Sequence, residues 1–195
     1  MCAKQLYSNC QKNNSKYFSQ NIIDYFKSST NRNVELVVSN KSTANVLNRA
    51  KISGVPTLLI NKSSFYETED TINYLNSLKI DLIVLAGFLW IVPENLIRSF
   101  PNKIINIHPS LLPKYGGKGM YGMKVHHAVV DAHEKESGIS IHYVNEKYDE
   151  GKIISQHKCE VSENDSADSL AKKIHQLEFE NFPKAIADML MCYFF

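Results

Sequence analysis

Short, continuously apolar runs alternate with segments of helical spacing over the first half of the chain. The apolar runs are rich in β-branched residues and lack a polar face, which is typical of strands that are covered on both sides. We expect strands at residues 34–39, 56–60, 82–86 and 103–107. The sheet that they predict is therefore buried between two layers.

The intervening segments predict helices at residues 21–26, 43–50, 64–78 and 93–100. Ser64 and Glu67 have the spacing of a capping box at the start of the third helix, and Pro93 suits the first turn of the fourth. Regular alternation of strands and helices is typical of a mostly parallel sheet with crossover helices. Residues 1 to about 107 are thus predicted to form a doubly wound α/β unit.

The second half begins with a different pattern. Residues 139–144 alternate between apolar and more polar side chains, which predicts a strand with one buried and one more polar face. A second extended run covers residues 153–159, and a helix should start near Ser166 and break or kink at Pro183. The sequence has no internal repeat or linker, so we expect a single α/β domain over residues 1–195, with a doubly wound, mostly parallel sheet flanked by helices.

Composition and charge exclude several classes of protein. The chain has 195 residues, of which 44% are hydrophobic and 22% charged, as in ordinary globular proteins. Its longest apolar runs are too short to span a bilayer, so we expect no membrane association. The net charge of +2 lacks the positive excess that binding a phosphate backbone requires, so nucleic acid is not an expected partner.

The four cysteines, at positions 2, 10, 159 and 192, have no paired spacing. This arrangement fits a reducing compartment better than a disulfide framework or a zinc site. The first 17 residues also lack the apolar core of a secretion signal. We therefore expect a cytoplasmic protein.

Candidate chemistry begins at the end of the strand predicted at 103–107. Asn106 and His108 are two residues apart on an extended chain, so their side chains should share a face, and both can donate hydrogen bonds to one oxygen. The ends of strands in an open α/β sheet border the ligand crevice. The alternative is structural: His108 caps the following loop, and Asn106 satisfies backbone groups.

Asp149 precedes Gly151 between the last two predicted strands, where a tight turn would present its carboxylate. A carboxylate near His108 would favour the imidazolium form and so provide a charged donor at neutral pH. Spacing alone leaves an ordinary turn aspartate as the alternative.

Four separated segments resemble the folate-dependent formyltransferases. They are LAGFLWIV at 85–92, INIHPSLLPKY at 105–115, SGISIHYV at 137–144 and DEG at 149–151, in the order found in that family. The resemblance covers residues 34–183. It implies a formyltransferase-like fold in which residues 1–107 form the nucleotide-binding half and residues 108–195 the folate-binding and C-terminal half.

The resemblance also implies a reaction. In this family an amine attacks the formyl carbon of 10-formyltetrahydrofolate, and the acceptor expected here is glycinamide ribonucleotide of de novo purine biosynthesis. Asn106 and His108 correspond to the residues that stabilise the tetrahedral oxyanion. Asp149 corresponds to the residue that keeps the histidine protonated and helps to order a water molecule. No metal is implied.

The remaining correspondences concern binding. The folate-pocket positions are Leu89, Trp90, Ile91, Val92, Asn145, Glu146, Lys147 and Tyr148. Many relatives carry arginine at the position of Trp90. Pro109, Gly117 and Glu178 correspond to positions that bind the ribonucleotide, although Glu178 also reads as a solvated helix residue. His142 corresponds to a position near the site, where we expect it to orient another group.

The N-terminal segment departs from the family. The family has a strand and a glycine-rich phosphate loop there, whereas residues 7–16 contain no glycine, and the segment before them is too polar for a convincing buried strand. Either Asn13, Asn14 and Ser15, with Lys12 or Lys16, bind the phosphate by other means, or the phosphate site is damaged.

Two other functions therefore stay open. One is formyl transfer to a different amine, such as that of an amino sugar nucleotide. The other is a folate-binding paralogue without catalytic activity. In each case the expected partners are small molecules, and the protein could be a monomer or a homodimer.

Overall fold

The protein folds around one seven-stranded sheet, with strand order β3-β2-β1-β4-β5-β6-β7. The computed structural model describes the backbone of residues 3–9 and 18–192 and the side chains of residues 19–191. The strands are β1 (Ala3–Asn9), β2 (Arg32–Ser39), β3 (Thr57–Leu59), β4 (Leu82–Ala86), β5 (Ile104–His108), β6 (Glu136–Tyr143) and β7 (Ile153–Glu160). The helices are α1 (Phe18–Lys27), α2 (Asn45–Ile52), α3 (Asp70–Ser77), α4 (Glu94–Ser99), α5 (Met123–Asp131) and α6 (Ala167–Cys192).

Strands β1 to β5 are parallel, whereas β6 and β7 each run antiparallel to the preceding strand. Helices cover both faces of this sheet, as β4 illustrates. Leu82, Val84 and Ala86 belong to the core that includes residues of α1, α2, α5 and α6, whereas Ile83 and Leu85 belong to the core that includes residues of α3 and α4. The predicted doubly wound, mostly parallel α/β fold is confirmed.

The N-terminal strand was not expected, because its sequence is polar. β1 nevertheless lies in the middle of the sheet and pairs in parallel with β2 on one side and β4 on the other. Two flanking strands supply partners for its backbone N–H and C=O groups whatever its side chains are. Polarity was therefore a poor guide to the position of this strand.

The more polar face of β6 is also buried, contrary to the expectation from its alternating pattern. Residues 137–142 are all buried, including Ser137, Ser140 and His142. This strand lies between β5 and β7, and the side chains of Ser140 and His142 form hydrogen bonds to a neighbouring loop and strand. Polar groups that have hydrogen-bond partners can be buried at little cost. The alternation of apolar and polar residues therefore did not show whether the polar face of this strand is in solvent or inside the protein.

The helix predicted at 64–78 begins only at Asp70, after a single π-helical turn over Ser63–Glu67. Ser64 does not form the predicted capping box with Glu67. Its N–H donates to Asn61 Oδ1 at 2.9 Å, and the Asn61 N–H donates to Ser64 Oγ at 3.1 Å. A local asparagine partner therefore replaces the glutamate and starts the turn earlier.

Helix α6 continues through Pro183, which was expected to break or kink it. Proline has no N–H to donate to the carbonyl four residues earlier, which here belongs to Phe179. Asn21 of α1 donates its side-chain Nδ2–H to that carbonyl at 2.7 Å. A contact from a distant helix thus replaces the missing hydrogen bond. Within the described residues, no helix combines the length and the hydropathy needed to cross a membrane.

We predict that Asn21→Ala lowers the free energy of unfolding by about 1 kcal/mol, because the Phe179 carbonyl loses its donor. Urea denaturation would measure the change. Pro183→Ala restores a backbone N–H at position 183, so the same Asn21→Ala change should cost clearly less in that background. Equal costs in both backgrounds would contradict this account of α6.

Candidate active site

The candidate site lies where β5 and β6 run side by side. Asn106 is the one residue of β5 that is not fully buried, and it faces His142 directly across the two strands. Asn106 Nδ2 lies 3.1 Å from His142 Nε2. The amide and this imidazole therefore form a contact pair at the edge of the crevice.

Asp149 completes the group from the loop between β6 and β7. Its Oδ2 accepts a hydrogen bond from the Gly117 N–H at 2.9 Å and lies 3.4 Å from His108 Nδ1. Its Oδ1 lies 3.6 Å from His142 Nε2. The structure thus brings Asn106, His108 and Asp149 together, with His142 as a fourth member.

The backbone around Asp149 is tightly constrained. Asp149 has φ +56°, in the left-handed region that most residues avoid. At Gly151, a Cβ atom would lie 1.7 Å from the Tyr143 carbonyl oxygen, so only glycine fits. The turn expected from Gly151 therefore exists, and it depends on a close approach to β6.

The second ring nitrogen of His108 contacts the loop that follows β5. Nε2 lies 2.8 Å from the Tyr115 carbonyl oxygen, which can only accept, so this nitrogen carries the proton. The Tyr115 hydroxyl in turn donates to Glu134 at 2.9 Å, and Lys114 forms an ion pair with the same carboxylate at 2.9 Å. The orientation of His108 is therefore coupled to an anchored loop.

A buried polar network holds the same loop against β6 and β7. Ser140 Oγ accepts from the Leu112 N–H at 2.9 Å and from Gln156 Nε2 at 2.8 Å, and donates to the Ser110 carbonyl at 2.7 Å. Sequence analysis did not assign a role to Ser140, Gln156 or Tyr115. The polar positions of β6 were the available signal, but they had been interpreted as a more polar face.

Burial opposes the resting imidazolium that the sequence predicts for His108. Burial lowers its pKa below the ordinary value, and this effect outweighs the neighbouring Asp149 and the Tyr115 carbonyl, both of which act to raise it. Burial thus favours the neutral ring before substrate binds. Burial alone would raise the pKa of Asp149, but its contacts with His142, His108 and the Gly117 N–H lower it, so the carboxylate is ionised.

The first predicted folate-binding segment follows β4. Val92 is buried in the core, whereas Leu89 and Trp90 are half-buried and Ile91 is 39% exposed. The Trp90 ring lies 5.9 Å from that of Tyr66, whose hydroxyl donates to the Ile91 carbonyl at 2.9 Å. The segment thus offers an accessible aromatic and aliphatic surface, to which Val92 contributes no side chain.

The second predicted folate-binding segment, residues 145–148, is mostly exposed. Asn145 Oδ1 accepts from the Lys147 N–H at 3.1 Å, while the Lys147 ammonium pairs with Glu150 at 3.1 Å. Burial, and to a lesser degree the nearby Tyr148, raise the pKa of Tyr66, so the loop lies close to the aromatic surface. The two segments therefore lie near each other, and Glu146 is exposed in the same loop as Tyr148.

The predicted ribonucleotide-binding residues are spread around the site. Pro109 follows His108 directly, and the Gly117 N–H is occupied by Asp149. Glu178 lies on α6, where burial raises the pKa of its carboxyl to about 8. Glu178 is partly buried, so it is not the fully solvated helix residue of the alternative interpretation. Asn13, Asn14 and Ser15 lie outside the described residues.

His126 on α5 and His175 on α6 form a further pair of imidazoles near His108. Their rings lie 6.5 Å apart, and His126 is 2% exposed, with no hydrogen-bond partner for Nδ1 among the residues that the structure describes. Burial, together with the neighbouring His175, His127 and His108, lowers the pKa of His126 to about 4. Over the described part of the chain, no set of three or more His, Cys, Asp or Glu side chains is placed to hold a metal ion.

The fold and the site indicate the class of this protein. It is an α/β protein in which a doubly wound sheet brings together an amide, two imidazoles and a carboxylate, and these groups can stabilise charge on a polar ligand. Comparison with known families makes this class specific. The chain belongs to the formyl transferase family, whose model matches residues 11–186.

Curated relatives support this membership. The phosphoribosylglycinamide formyltransferase of Haemophilus influenzae is 37% identical over 157 residues, which cover 78% of this chain and 72% of that protein. The chloroplastic phosphoribosylglycinamide formyltransferase of Arabidopsis thaliana is 37% identical over 163 residues, covering 81% of this chain and 56% of that protein. The chain spans about half the length of such plant relatives.

A solved structure agrees with the fold. Glycinamide ribonucleotide transformylase 1 from Geobacillus kaustophilus superposes with a TM-score of 0.85 at 27% identity, covering 97% of this chain and 100% of that one. The predicted formyltransferase-like fold is therefore confirmed.

We predict that acidification from pH 6.5 to pH 4 destabilises the protein through His126. The unfolded chain binds a proton near pH 6.5, whereas the folded protein resists it until about pH 4, so stability falls as pH falls through this window. The contribution of His126 to the free energy of unfolding should fall by about 3 kcal/mol across this window. Denaturation at several pH values would measure it.

The matched variants for that measurement are His126→Gln and His127→Gln. The first should flatten the pH dependence between pH 6.5 and pH 4, because it removes the buried titrating ring. The second changes the exposed neighbour on the same helix and should leave the slope as in the unaltered protein. Unchanged slopes in both variants would refute the assignment to His126.

Proposed function

We propose that this protein transfers the formyl group of 10-formyltetrahydrofolate to the amine of glycinamide ribonucleotide, a step of de novo purine biosynthesis. The observation that carries the proposal is the convergence of Asn106, His108 and Asp149 in a member of the formyl transferase family. The names of its bacterial and plant relatives support this choice of acceptor. Both substrates are small molecules, and sparse cysteines favour a cytoplasmic location.

The geometry supports a division of tasks in the reaction. As the amine nitrogen forms a bond to the formyl carbon, the carbonyl π electrons move to oxygen and create an oxyanion. Asn106 has an N–H that His142 does not use and that can stabilise this oxygen. A preorganised donor of this kind typically contributes about 2.7 to 4 kcal/mol to the transition state.

His108 is suited to carry the proton that the attacking amine must lose. Its Nε2–H is held by the Tyr115 carbonyl, so Nδ1 has a free lone pair beside ionised Asp149. Proton uptake at Nδ1 would create an imidazolium that is stabilised by Asp149 and by the nearby oxyanion. When the bond from carbon to N10 of the folate breaks, that nitrogen receives the proton and the ring returns to its neutral form.

Glu178 is suited to bind the ribose of the ribonucleotide. Its carboxyl group can form hydrogen bonds to two neighbouring ribose hydroxyls, because each hydroxyl can both donate and accept. Trp90, Ile91 and Tyr148 offer accessible aromatic and aliphatic surface, on which a flat ring system would find apolar contacts with few polar groups.

We predict that the purified protein forms formylglycinamide ribonucleotide from the two substrates, and that Asn106→Ala lowers kcat by about 100-fold or more. Product formation with each acceptor would be followed chromatographically, with an amino sugar nucleotide as the alternative acceptor. Glu150→Gln is the matched control, because Glu150 is exposed beside Asp149 and pairs only with Lys147 among the described residues. Folded protein that leaves glycinamide ribonucleotide unformylated would refute the proposal.

Trp90 is the single tryptophan of the sequence and so reports directly on the predicted folate pocket. We predict a saturable change in its fluorescence on addition of a non-reactive analogue of the formyl donor, and no comparable change with glycinamide ribonucleotide alone. Trp90→Phe should weaken donor binding measured by calorimetry. Full donor binding without any fluorescence change would place the pocket elsewhere.

A further inference from the structure

Asn106 and His142 form a buried contact whose chemistry determines how the amide is oriented. Strands β5 and β6 place the two residues directly opposite each other, with Asn106 Nδ2 3.1 Å from His142 Nε2. His142 is 2% exposed, so water competes little for this ring nitrogen. The contact is therefore a stable part of the site.

The other nitrogen of His142 identifies the tautomer. Nδ1 lies 2.8 Å from the Tyr143 carbonyl oxygen. A carbonyl oxygen can only accept, so the hydrogen must be on Nδ1. In the neutral ring Nε2 is then a bare acceptor, and it receives one of the two N–H groups of Asn106.

Asp149 does not displace this arrangement. Its Oδ1 lies 3.6 Å from His142 Nε2, beyond normal hydrogen-bond distance, while its Oδ2 is used by the Gly117 N–H and faces His108. Asn106 Nδ2 is the nearer partner of His142 Nε2. The Asn106 amide is therefore the partner within hydrogen-bond distance of His142 Nε2, and Asp149 lies just beyond that distance.

An asparagine amide has nearly the same shape when it is rotated by half a turn, but its chemistry is reversed. One orientation presents N–H to the crevice, and the other presents oxygen, which would repel a developing oxyanion. Only the first orientation satisfies a bare Nε2. We propose that His142 is a positioning residue that holds the Asn106 amide with its second N–H directed at the acyl oxygen, an inference that rests on the proposed formyl transfer.

A double-mutant cycle tests whether His142 acts through Asn106. His142→Phe removes the acceptor and should lower kcat by about 100-fold with little change in KM, as Asn106→Ala does. The double variant should be no slower than either single variant, because the second change removes nothing further. His142→Gln, whose oxygen can accept from the amide, should recover part of the loss.

A purely structural role gives a different result. Independent losses would multiply to about 10,000-fold in the double variant, and that outcome overturns the inference. His157→Phe on the neighbouring strand β7 is the matched control for placing a phenyl ring beside β6 and should keep kcat unchanged. Circular dichroism and thermal melting would verify that each variant is folded.

Nitrogen-15 NMR of the ring tests the hydrogen bond without any turnover. We expect His142 Nδ1 to be protonated and Nε2 unprotonated at neutral pH in the unaltered protein. A protonated Nε2 would overturn the inference even if the enzyme is active. An inactive protein would instead count against the proposed function, and the NMR result would still decide the orientation of the amide.

Discussion

The site depends on one buried carboxylate. A charge removed from water must be compensated by its surroundings, and Asp149 accepts a hydrogen bond from the Gly117 N–H and lies beside two imidazole rings. These contacts join the loop after β5, the strands β5 and β6, and the turn before β7. The same left-handed turn that positions Asp149 relies on the lack of a side chain at Gly151. The geometry of the site is therefore a consequence of satisfying this charge.

The surrounding polar network holds the loop at 109–117 in place by hydrogen bonds. Ser140 and Gln156 hold the loop from inside, and Glu134 holds it from outside through Tyr115. Fixed donors and acceptors of this kind need little reorganisation when charge develops, which is how active sites lower a barrier. The burial of polar side chains on β6 is thus part of the function that we propose.

The resting state of His108 illustrates a balance that spacing along the chain cannot predict. A nearby carboxylate favours the charged ring, and burial favours the neutral one, and here burial is the larger effect. A neutral ring beside an ionised carboxylate can accept a proton during the reaction and release it afterwards. The charge expected at rest would then be present only while the acyl oxygen is negative.

The sequence by itself determined a sheet covered on both faces and the shared face of Asn106 and His108. Both follow from patterns within single strands, namely continuous apolar runs and the alternation of side chains between the two faces. It did not determine the central position of β1, the continuous α6 or the buried face of β6. Those features depend on partners far along the chain. Asn21, for example, donates a hydrogen bond to the Phe179 carbonyl, which receives none from Pro183. Tertiary structure alone decides which distant groups meet, and hence which polar or helix-breaking residues are tolerated.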